Sequence, residues 1–259
     1  LALKLGMDPL EFRILNALEN HIPTVCGQVF SQGVGIQQCF EALRPAWETE
    51  RRDVAQFNAT STHLKRGVGI AAGWYGCGNT SLPNPSTIKS GVLADGTVVL
   101  HQGAMDIGQG ANTVISQIFA TALGVPTHSI QIIGADTDAT PDAGKTSASR
   151  QTYVSGNAAL LSGEALRQQI LDKMNVAGDA DLKIGDGTIL ATDSTGTHEY
   201  PLAGLATDDE GFVFRAIETY DPPTKPLDAN GQGAPYAQFG YAAHLVVVEV
   251  DTAYGTVKP

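Results

Sequence analysis

Positive charge is scarce in this sequence, which has 16 Lys and Arg residues against 27 Asp and Glu residues. The formal net charge over 259 residues is −11. Because a nucleic-acid-binding surface needs clustered Lys and Arg, this composition argues against a nucleic-acid partner. Long apolar runs are lacking too. None approaches the ~18–20 residues of a membrane-spanning helix, so no membrane span is expected.

Cysteine is also rare, and no two of Cys26, Cys39 and Cys77 have CxxC spacing. A disulfide framework or a zinc site is therefore not expected, and free thiols suit a reducing cytoplasm. The sequence has no Gly-x-Ser-x-Gly elbow, no GxGxxG fingerprint and no Walker loop. We accordingly name no catalytic residue and expect neither a Rossmann nor a P-loop nucleotide site.

The beginning of the chain is predicted to be a mainly helical lead-in over residues 1–60. Asp8 followed by a proline is typical of a helix start, and this helical segment is expected to continue until Pro23. A second helix is expected over residues 35–58, with Pro45 kinking or splitting it.

From residue 61 onward the spacing of apolar residues changes to a pattern typical of strands with intervening helices. The expected fold class is α+β, with helices packed on a mixed β-sheet in a domain over residues 61–259. A hairpin is predicted over residues 182–190 and a helical turn over residues 200–206. The other predicted strands cover residues 66–75, 87–93, 97–102, 129–133, 212–219 and 239–250, with a loop over residues 76–85.

Gly108, Gln109 and Gly110 form a turn that opens a predicted helix over residues 111–123. Glycines let a backbone approach a ligand closely, and a Gln amide both donates and accepts hydrogen bonds. A helix start also presents free N–H groups and the positive end of the helix dipole. Two interpretations stay open: a ligand-binding turn, or a tight turn in which Gln109 only caps the helix.

A second helix start follows a polar loop, in the run Thr-Ser-Ala-Ser-Arg-Gln-Thr at residues 146–152. Ser147 or Ser149 is expected to cap a helix over residues 150–174, and Arg150 is a candidate clamp for a phosphate. The alternative is an ordinary helix cap with Arg150 in solvent. Two open helix starts and one Arg suit an elongated ligand that carries a pyrophosphate and hydrogen-bonding rings.

Asp106 lies just before the first helix start, and the polar loop before this helix contains Asp136, Asp138 and Asp142. Its pattern lacks the Gly and the closing Glu of a calcium-binding EF-hand loop. Aspartates that cap turns are therefore the favoured interpretation, and no metal ligand is predicted.

The two helix starts also carry a family resemblance. The runs are DGTVVLHQGAMDIGQGANTVISQIFATALGVP from residue 95 and TSASRQTYVSGNA from residue 146. They resemble the molybdenum-binding subunit of the xanthine dehydrogenase and aldehyde oxidase family, and the bacterial nicotinate and isoquinoline dehydrogenase-like branch looks most similar. The stretches GMDPLEFRILNAL and PTKPLDANGQGAPYAQFGYAAHLVVVEVD also resemble this family.

This resemblance implies a molybdenum hydroxylase that oxidises an aldehyde or an N-heterocycle with water as the oxygen source. It implies a molybdopterin cofactor, extended in bacteria to a cytosine dinucleotide. Implied partners are the remainder of the molybdenum subunit, iron–sulfur and flavin electron-transfer subunits, and a small-molecule substrate. A cofactor-free scaffold of the same fold is the alternative. The residues assigned to the cofactor on this basis are Gly108, Gln109, Gly110, Ala148, Ser149, Arg150 and Gln151.

Two family segments are not found in residues 1–259. One has the form Gly-Gly-x-Phe-Gly, and the other is Gly-Val-Gly-Glu, whose glutamate acts as the general base in the family. We therefore expect this chain to be the middle part of a molybdenum subunit. By itself it is expected to lack turnover and to hold no cofactor.

Overall fold

The structure is a computed structural model that describes residues 1–78 and 82–259. Part of the loop predicted over residues 76–85 therefore lies outside the described residues. The helices are α1 (Ala2–Leu5), α2 (Pro9–Leu15), α3 (Ile36–Thr60), α4 (Ala111–Leu123) and α5 (Gln151–Met174), with a short 3-10 helix at Thr127–Ser129. The strands are β1 (Leu64–Gly76), β2 (Ser86–Leu93), β3 (Val98–Gln102), β4 (Ile130–Ile133), β5 (Asp181–Gly185), β6 (Thr188–Asp193), β7 (Gly196–Pro201), β8 (Phe212–Tyr220), β9 (Phe239–Asp251) and β10 (Thr256–Lys258).

The chain divides into two compact units. The first joins Leu1–Gly76 to Lys225–Pro259, and the second is Cys77–Thr224. The predicted boundary between residues 60 and 61 falls inside the first unit, where α3 packs on β1 and β9. Helices and a mixed sheet are both present, so the predicted α+β class is confirmed. Among the described residues, no helix has both the length and the apolar content that a bilayer span requires.

In the first unit, α3 covers a three-stranded sheet with the order β1-β9-β10. β1 and β9 pair antiparallel along their whole length of 13 residues. Ile36, Phe40 and Trp47 lie on one face of α3, as their helical spacing predicts, and are buried with Leu10 and Ile70.

The lead-in differs from the prediction in two places. α3 is continuous through Pro45, so the predicted split does not occur. Pro45 is exposed, and the carbonyl that lacks an N–H partner at this position can bond to water instead. α2 ends at Leu15 rather than continuing toward Pro23, because the side-chain amide of Asn16 donates to the carbonyl of Phe12 at 2.7 Å and satisfies the helix end.

The second unit is organised around a four-stranded sheet with the order β4-β3-β2-β8. β2 pairs antiparallel with β3 and β8, whereas β3 and β4 are parallel and are connected through α4. α5 packs against α4, β2 and β8. The core between these elements includes Ile88, Leu100, Ile115, Phe119 and Leu166, all fully buried.

The buried face of α5 is made largely of small residues. Helical spacing predicts one apolar stripe along this helix, made of Val154, Ala158, Leu161 and Ala165. Val154 and Ala158 are buried, but Leu161 is exposed, so the stripe does not continue through it. Gly163 is buried instead, and a Cβ there would lie 2.9 Å from the carbonyl oxygen of Phe119. The two helices therefore approach each other closely, which fixes the position of the α5 start relative to α4.

A small antiparallel sheet with the order β5-β6-β7 completes the second unit. The predicted hairpin over residues 182–190 is confirmed by the pairing of β5 with β6. The helical turn predicted over residues 200–206 is wrong at its start, because Tyr200 belongs to β7 and pairs with Ile189. β7 is exposed on almost every side chain, so its sequence carries no alternation that would indicate a strand.

Candidate functional site

A cavity of about 370 Å³ in the second unit is bordered by the start of α5 and by the turn before α4. We call it the site cavity, and we call residues 105–110 the first turn. The two helix starts that the sequence singled out therefore face one cavity. Its lining residues are Ile107 and Gln109 from the first turn, with Thr146, Ser147, Ser149, Arg150, Gln151 and Thr152 from the second segment.

Thr146 joins the two segments directly. Its hydroxyl accepts a hydrogen bond from the N–H of Met105 at 3.1 Å and donates to the carbonyl of Met105 at 3.1 Å. The side-chain amide of Gln151 donates to the same hydroxyl at 3.3 Å. A hydroxyl has one donor and two acceptor positions, so these three bonds use its whole capacity.

The start of α4 is closed by Asp106, which corrects the prediction of two open helix starts. The carboxylate accepts hydrogen bonds from the N–H groups of Gly108 at 2.9 Å, Gly110 at 3.3 Å and Asn112 at 3.1 Å. The bonds from Gly108 and Asn112 contribute most to holding the pKa of Asp106 below its usual value. The positive end of the α4 dipole is thus already met by a carboxylate.

Gln109 caps the first turn, as one of the two open interpretations proposed. Its Oε1 accepts from the N–H of Ile107 at 2.6 Å, and its Nε2 donates to the carbonyl of Met105 at 3.0 Å. The side chain is exposed and lines the site cavity. Its amide therefore retains one N–H and one lone pair for a ligand, so capping and ligand binding are compatible.

Gly108 and Gly110 serve the conformation of the first turn. Their φ angles are +103° and +80°, which L side chains rarely adopt. A Cβ at either position would meet nothing within 4 Å, so the need for glycine here is conformational and not one of space.

The start of α5 is the open one. Within the described residues no side chain caps it, so the caps predicted for Ser147 and Ser149 are wrong. Ala148 and Ser149 both have positive φ, 55° and 52°. Backbone strain of this kind is concentrated at ligand sites. The first N–H groups of α5 have no partner inside the helix and lie at its positive end, beside the site cavity.

Arg150 is neither in solvent nor a clamp with free donors. Its side chain is buried, with 1% of the residue exposed. The guanidinium donates to the side-chain oxygen of Asn84 at 2.6 Å and to the carbonyls of Asn84 and Pro85 at 2.9 and 2.7 Å. It also donates to the carbonyls of Ala143 and Lys145. This side chain therefore has no N–H group left to donate to a phosphate, as a phosphate clamp would require.

The residues assigned to the cofactor divide into two groups. Gln109, Ser149, Arg150 and Gln151 line the site cavity, whereas Gly108, Gly110 and Ala148 do not. Sequence reasoning did not assign the other lining residues Ile107, Thr146, Ser147 and Thr152. The signal for three of them was present, because a run of hydroxyl side chains at a helix start is typical of a polar site.

A second cavity of about 330 Å³ shares Ser149 and Thr152 with the site cavity. Its other lining residues are Cys77, Ile118, Tyr153, Gly156, Asn157 and Leu160. An elongated ligand therefore has room on both sides of the start of α5.

The acidic loop before α5 caps its own turns. Asp136 accepts from the N–H groups of Asp138 at 2.9 Å and Ala139 at 3.2 Å, and Asp142 accepts from Gly144 at 2.7 Å. These bonds agree with turn capping, the interpretation favoured from the sequence.

Residues 42–259 match the family model of the molybdopterin cofactor-binding domain. The aldehyde oxidoreductase of Megalodesulfovibrio gigas is 31% identical over 261 residues, which cover 98% of this chain and 26% of that protein. The xanthine dehydrogenase molybdenum-binding subunit of Escherichia coli is 35% identical over 175 residues, 66% of this chain and 23% of that protein.

The fold is also similar to a solved structure. The crystal structure of the aldehyde oxidoreductase from Desulfovibrio desulfuricans matches with a TM-score of 0.76 at 29% identity, covering 99% of this chain and 26% of that one. The chain thus spans about a quarter of the length of these relatives. The match over residues 42–259 and the similarity to these relatives show that the chain belongs to the molybdopterin cofactor-binding domain family, within the xanthine dehydrogenase and aldehyde oxidoreductase group.

Proposed function

We propose that the site cavity holds the pterin end of molybdopterin, and that the full-length protein is a molybdenum hydroxylase. Its substrate would be an aldehyde or an N-heterocycle, with water as the oxygen donor. One observation carries this proposal: Gln109 and the open start of α5 line the same cavity in a chain of this family. The names of the aldehyde oxidoreductase and xanthine dehydrogenase relatives support the substrate class.

The residues present fit a polar, phosphate-bearing cofactor. The start of α5, which no side chain caps in the described part of the chain, offers N–H donors and the positive dipole end, which suit an anionic group. The free half of the Gln109 amide can pair with the edge of a pterin ring, which also carries donors and acceptors. When bound, the cofactor supplies two-electron redox chemistry, and these residues would orient it.

The glycines and the strained residues would act through the backbone. Gly108 and Gly110 give the first turn the conformation that presents Gln109. Ala148 and Ser149, with their positive φ angles, lead the chain into α5 at the cavity wall. We therefore keep Gly108, Gly110 and Ala148 as part of the proposed cofactor site, although their side-chain positions do not line the cavity.

The cytosine dinucleotide form of the cofactor is the form we propose. The second cavity shares Ser149 and Thr152 with the site cavity and gives an elongated ligand additional room. Such a ligand has an anionic pyrophosphate in its middle, which suits a helix start between two cavities.

We further propose that the remainder of the molybdenum subunit and iron–sulfur and flavin electron-transfer subunits are partners of this chain. The relatives named above are about three to four times as long as the chain, which supports a larger assembly. We propose a cytoplasmic location, where the thiols of Cys26, Cys39 and Cys77 would stay reduced. Fractionation of cells that express the full-length protein tests the location.

Metal and nucleotide analysis of the full-length protein tests the proposed function. We expect stoichiometric molybdenum and release of cytidine monophosphate on acid hydrolysis. Gln109→Ala is expected to lower the molybdenum content, because it removes the polar group that the first turn presents to the cavity. Gln117→Ala is the matched control, since Gln117 is an exposed Gln on α4 outside the cavity lining.

The alternative function is a scaffold of the same fold without cofactor. Purified full-length protein without molybdenum, from cells that load other molybdenum enzymes, would favour that alternative. Molybdenum without the nucleotide would retain the function and correct only the cofactor form.

A further inference from the structure

The buried guanidinium of Arg150 makes hydrogen bonds in every direction available to it. Nε donates to the side-chain oxygen of Asn84 at 2.6 Å, and Nη2 donates to the carbonyls of Asn84 at 2.9 Å and Pro85 at 2.7 Å. Nη1 donates to the carbonyl of Ala143 and, at 3.2 Å, to that of Lys145. All the N–H groups of the guanidinium are therefore used inside the protein.

These hydrogen-bond partners are neutral oxygens, so directional hydrogen bonds, and not an ion pair, hold the guanidinium in place. Burial lowers the pKa of Arg150. The carboxylates of Asp142 and Asp221 favour the charged form and offset part of this lowering. The planar guanidinium reaches two separate backbone segments at once, residues 84–85 and 143–145. A Lys ammonium is a compact point charge and cannot reproduce such a planar fork.

The loop around Arg150 is shaped to fit the guanidinium. Gly144 has a φ of +63°, and a Cβ there would lie 2.8 Å from Nη1 and 3.0 Å from Cζ of Arg150. A Cβ here would push against a guanidinium that its hydrogen bonds hold in place, and the positive φ also favours glycine at this position. The side chain and the loop therefore fix each other.

The same loop connects Arg150 to the walls of the site cavity. The carbonyl of Lys145 accepts from Arg150 at 3.2 Å and from the side chain of Gln151 at 3.2 Å. Gln151 donates to the hydroxyl of Thr146 at 3.3 Å, and that hydroxyl bonds to Met105 at the beginning of the first turn. A continuous set of hydrogen bonds therefore runs from the guanidinium to the opposite wall.

We propose that Arg150 is a positioning residue for the cofactor. Its guanidinium holds residues 84–85 and 143–145 to the start of α5, and this sets the spacing between the α5 start and the first turn without any hydrogen bond from the guanidinium to the cofactor. The proposal rests on the function proposed above for the site cavity. Asn84 belongs to the same network and lies outside the cavity lining, so it reports on positioning alone.

The test compares Arg150→Lys, Arg150→Met and Asn84→Leu in the full-length holoenzyme. Molybdenum per subunit and the molybdenum(V) paramagnetic resonance spectrum of the remaining cofactor are measured. Positioning predicts that Arg150→Lys loses as much cofactor as Arg150→Met, about tenfold, the scale seen when residues behind a ligand shell are removed. It also predicts that Asn84→Leu loses cofactor and that the spectra of all three variants are altered.

A direct phosphate contact predicts the opposite pattern. Arg150→Lys would keep most of its cofactor because the charge remains, and Asn84→Leu would match the parent protein in content and spectrum. That result overturns the proposal. If the Arg150 variants do not fold, the content and spectrum of Asn84→Leu decide in the same way.

Two controls separate the causes of a loss. Ser90→Ala breaks a buried hydrogen bond in the same unit away from the cavity lining, and it is expected to leave the spectrum of bound cofactor unchanged. An altered spectrum in Ser90→Ala would show that general destabilisation is enough to disturb the cofactor, and it would overturn the proposal.

Full cofactor content in Gln109→Ala would overturn the proposed function together with the positioning role. Loss in Gln109→Ala with retention in Arg150→Lys and Asn84→Leu would overturn the positioning role alone.

Discussion

Thr146 and Met105 are bound to each other twice, since one hydroxyl both accepts from the Met105 N–H and donates to the Met105 carbonyl, each at 3.1 Å. These residues are far apart in the sequence and begin the two segments that line the site cavity. This half-buried side chain thus links the two walls directly, as a member of the hydrogen-bonded set that starts at Arg150.

Thr146→Val should weaken this connection while keeping the shape of the side chain. Loss of the hydroxyl removes both bonds to Met105, whereas Gln151, its third partner, keeps its bond to the carbonyl of Lys145. At about 0.5–1.5 kcal/mol for each net hydrogen bond, the free energy of unfolding should fall by about 1–3 kcal/mol. Thr146→Ser retains the hydroxyl and is the matched control. Urea unfolding measures both variants, and equal losses in Ser and Val would contradict the role of the hydroxyl.

Asp106→Asn should reveal a pH-dependent contribution from the first turn. The folded-state pKa of Asp106 is lowered, so its stabilisation is present above the unfolded value of about 3.9 and is lost as pH falls through the folded value. The parent protein should therefore exceed Asp106→Asn in stability at neutral pH, and the difference should shrink in acid below about pH 4. A difference that stays constant down to low pH would show that the charge of Asp106 does not matter.

Gly163→Ala should destabilise the packing of α5 on α4. Alanine favours a helix by about 1 kcal/mol over glycine, but overpacking costs about 1–3 kcal/mol. A Cβ here would lie 2.7 Å from the Cβ of Ala122 and 2.9 Å from the carbonyl oxygen of Phe119, and backbone cannot easily give way. Gly178→Ala is the control, because nothing lies within 4 Å of a Cβ there. Thermal unfolding should give a lower midpoint for Gly163→Ala than for Gly178→Ala. A Gly163→Ala protein more stable than the parent would contradict the close approach of α5 to α4.

Ser90 and Ser162 should show strong coupling in a double-mutant cycle. Their hydroxyls are fully buried and 2.7 Å apart, one on β2 and one on α5. Each single change to Ala leaves a buried hydroxyl without its partner and should cost about 1–3 kcal/mol, whereas the double variant should cost much less than the sum. Additive losses in denaturant unfolding would mean that the hydroxyls act independently.

Local signals in the sequence are sufficient to predict the helices and strands that flank the site. α4 begins and ends at the predicted residues because Gly110 and Gly124 at its two ends both have positive φ, which few residues other than glycine adopt. The β-branched run of β9 indicated its strand within one residue of the observed end. The two motifs that border the site cavity were also recognisable, because each combines small or hydroxyl residues with a helix start.

Long-range contacts decided what the sequence left open. The burial of Arg150 depends on carbonyls from residues 84–85 and 143–145, and no periodicity near Arg150 indicates them. The closure of the α4 start by Asp106 depends on the path of the first turn. β7 depends on pairing with β6, because its own side chains are exposed. Each of these outcomes is a tertiary contact that overrides a local preference.

The location of the cofactor in the full-length holoenzyme tests the central claim most directly. A cryo-electron microscopy or crystal structure should show molybdopterin in the site cavity, with polar atoms within about 3 Å of the Gln109 amide and of the first N–H groups of α5. Cofactor density elsewhere, with only solvent between Gln109 and Ser149, would contradict the account.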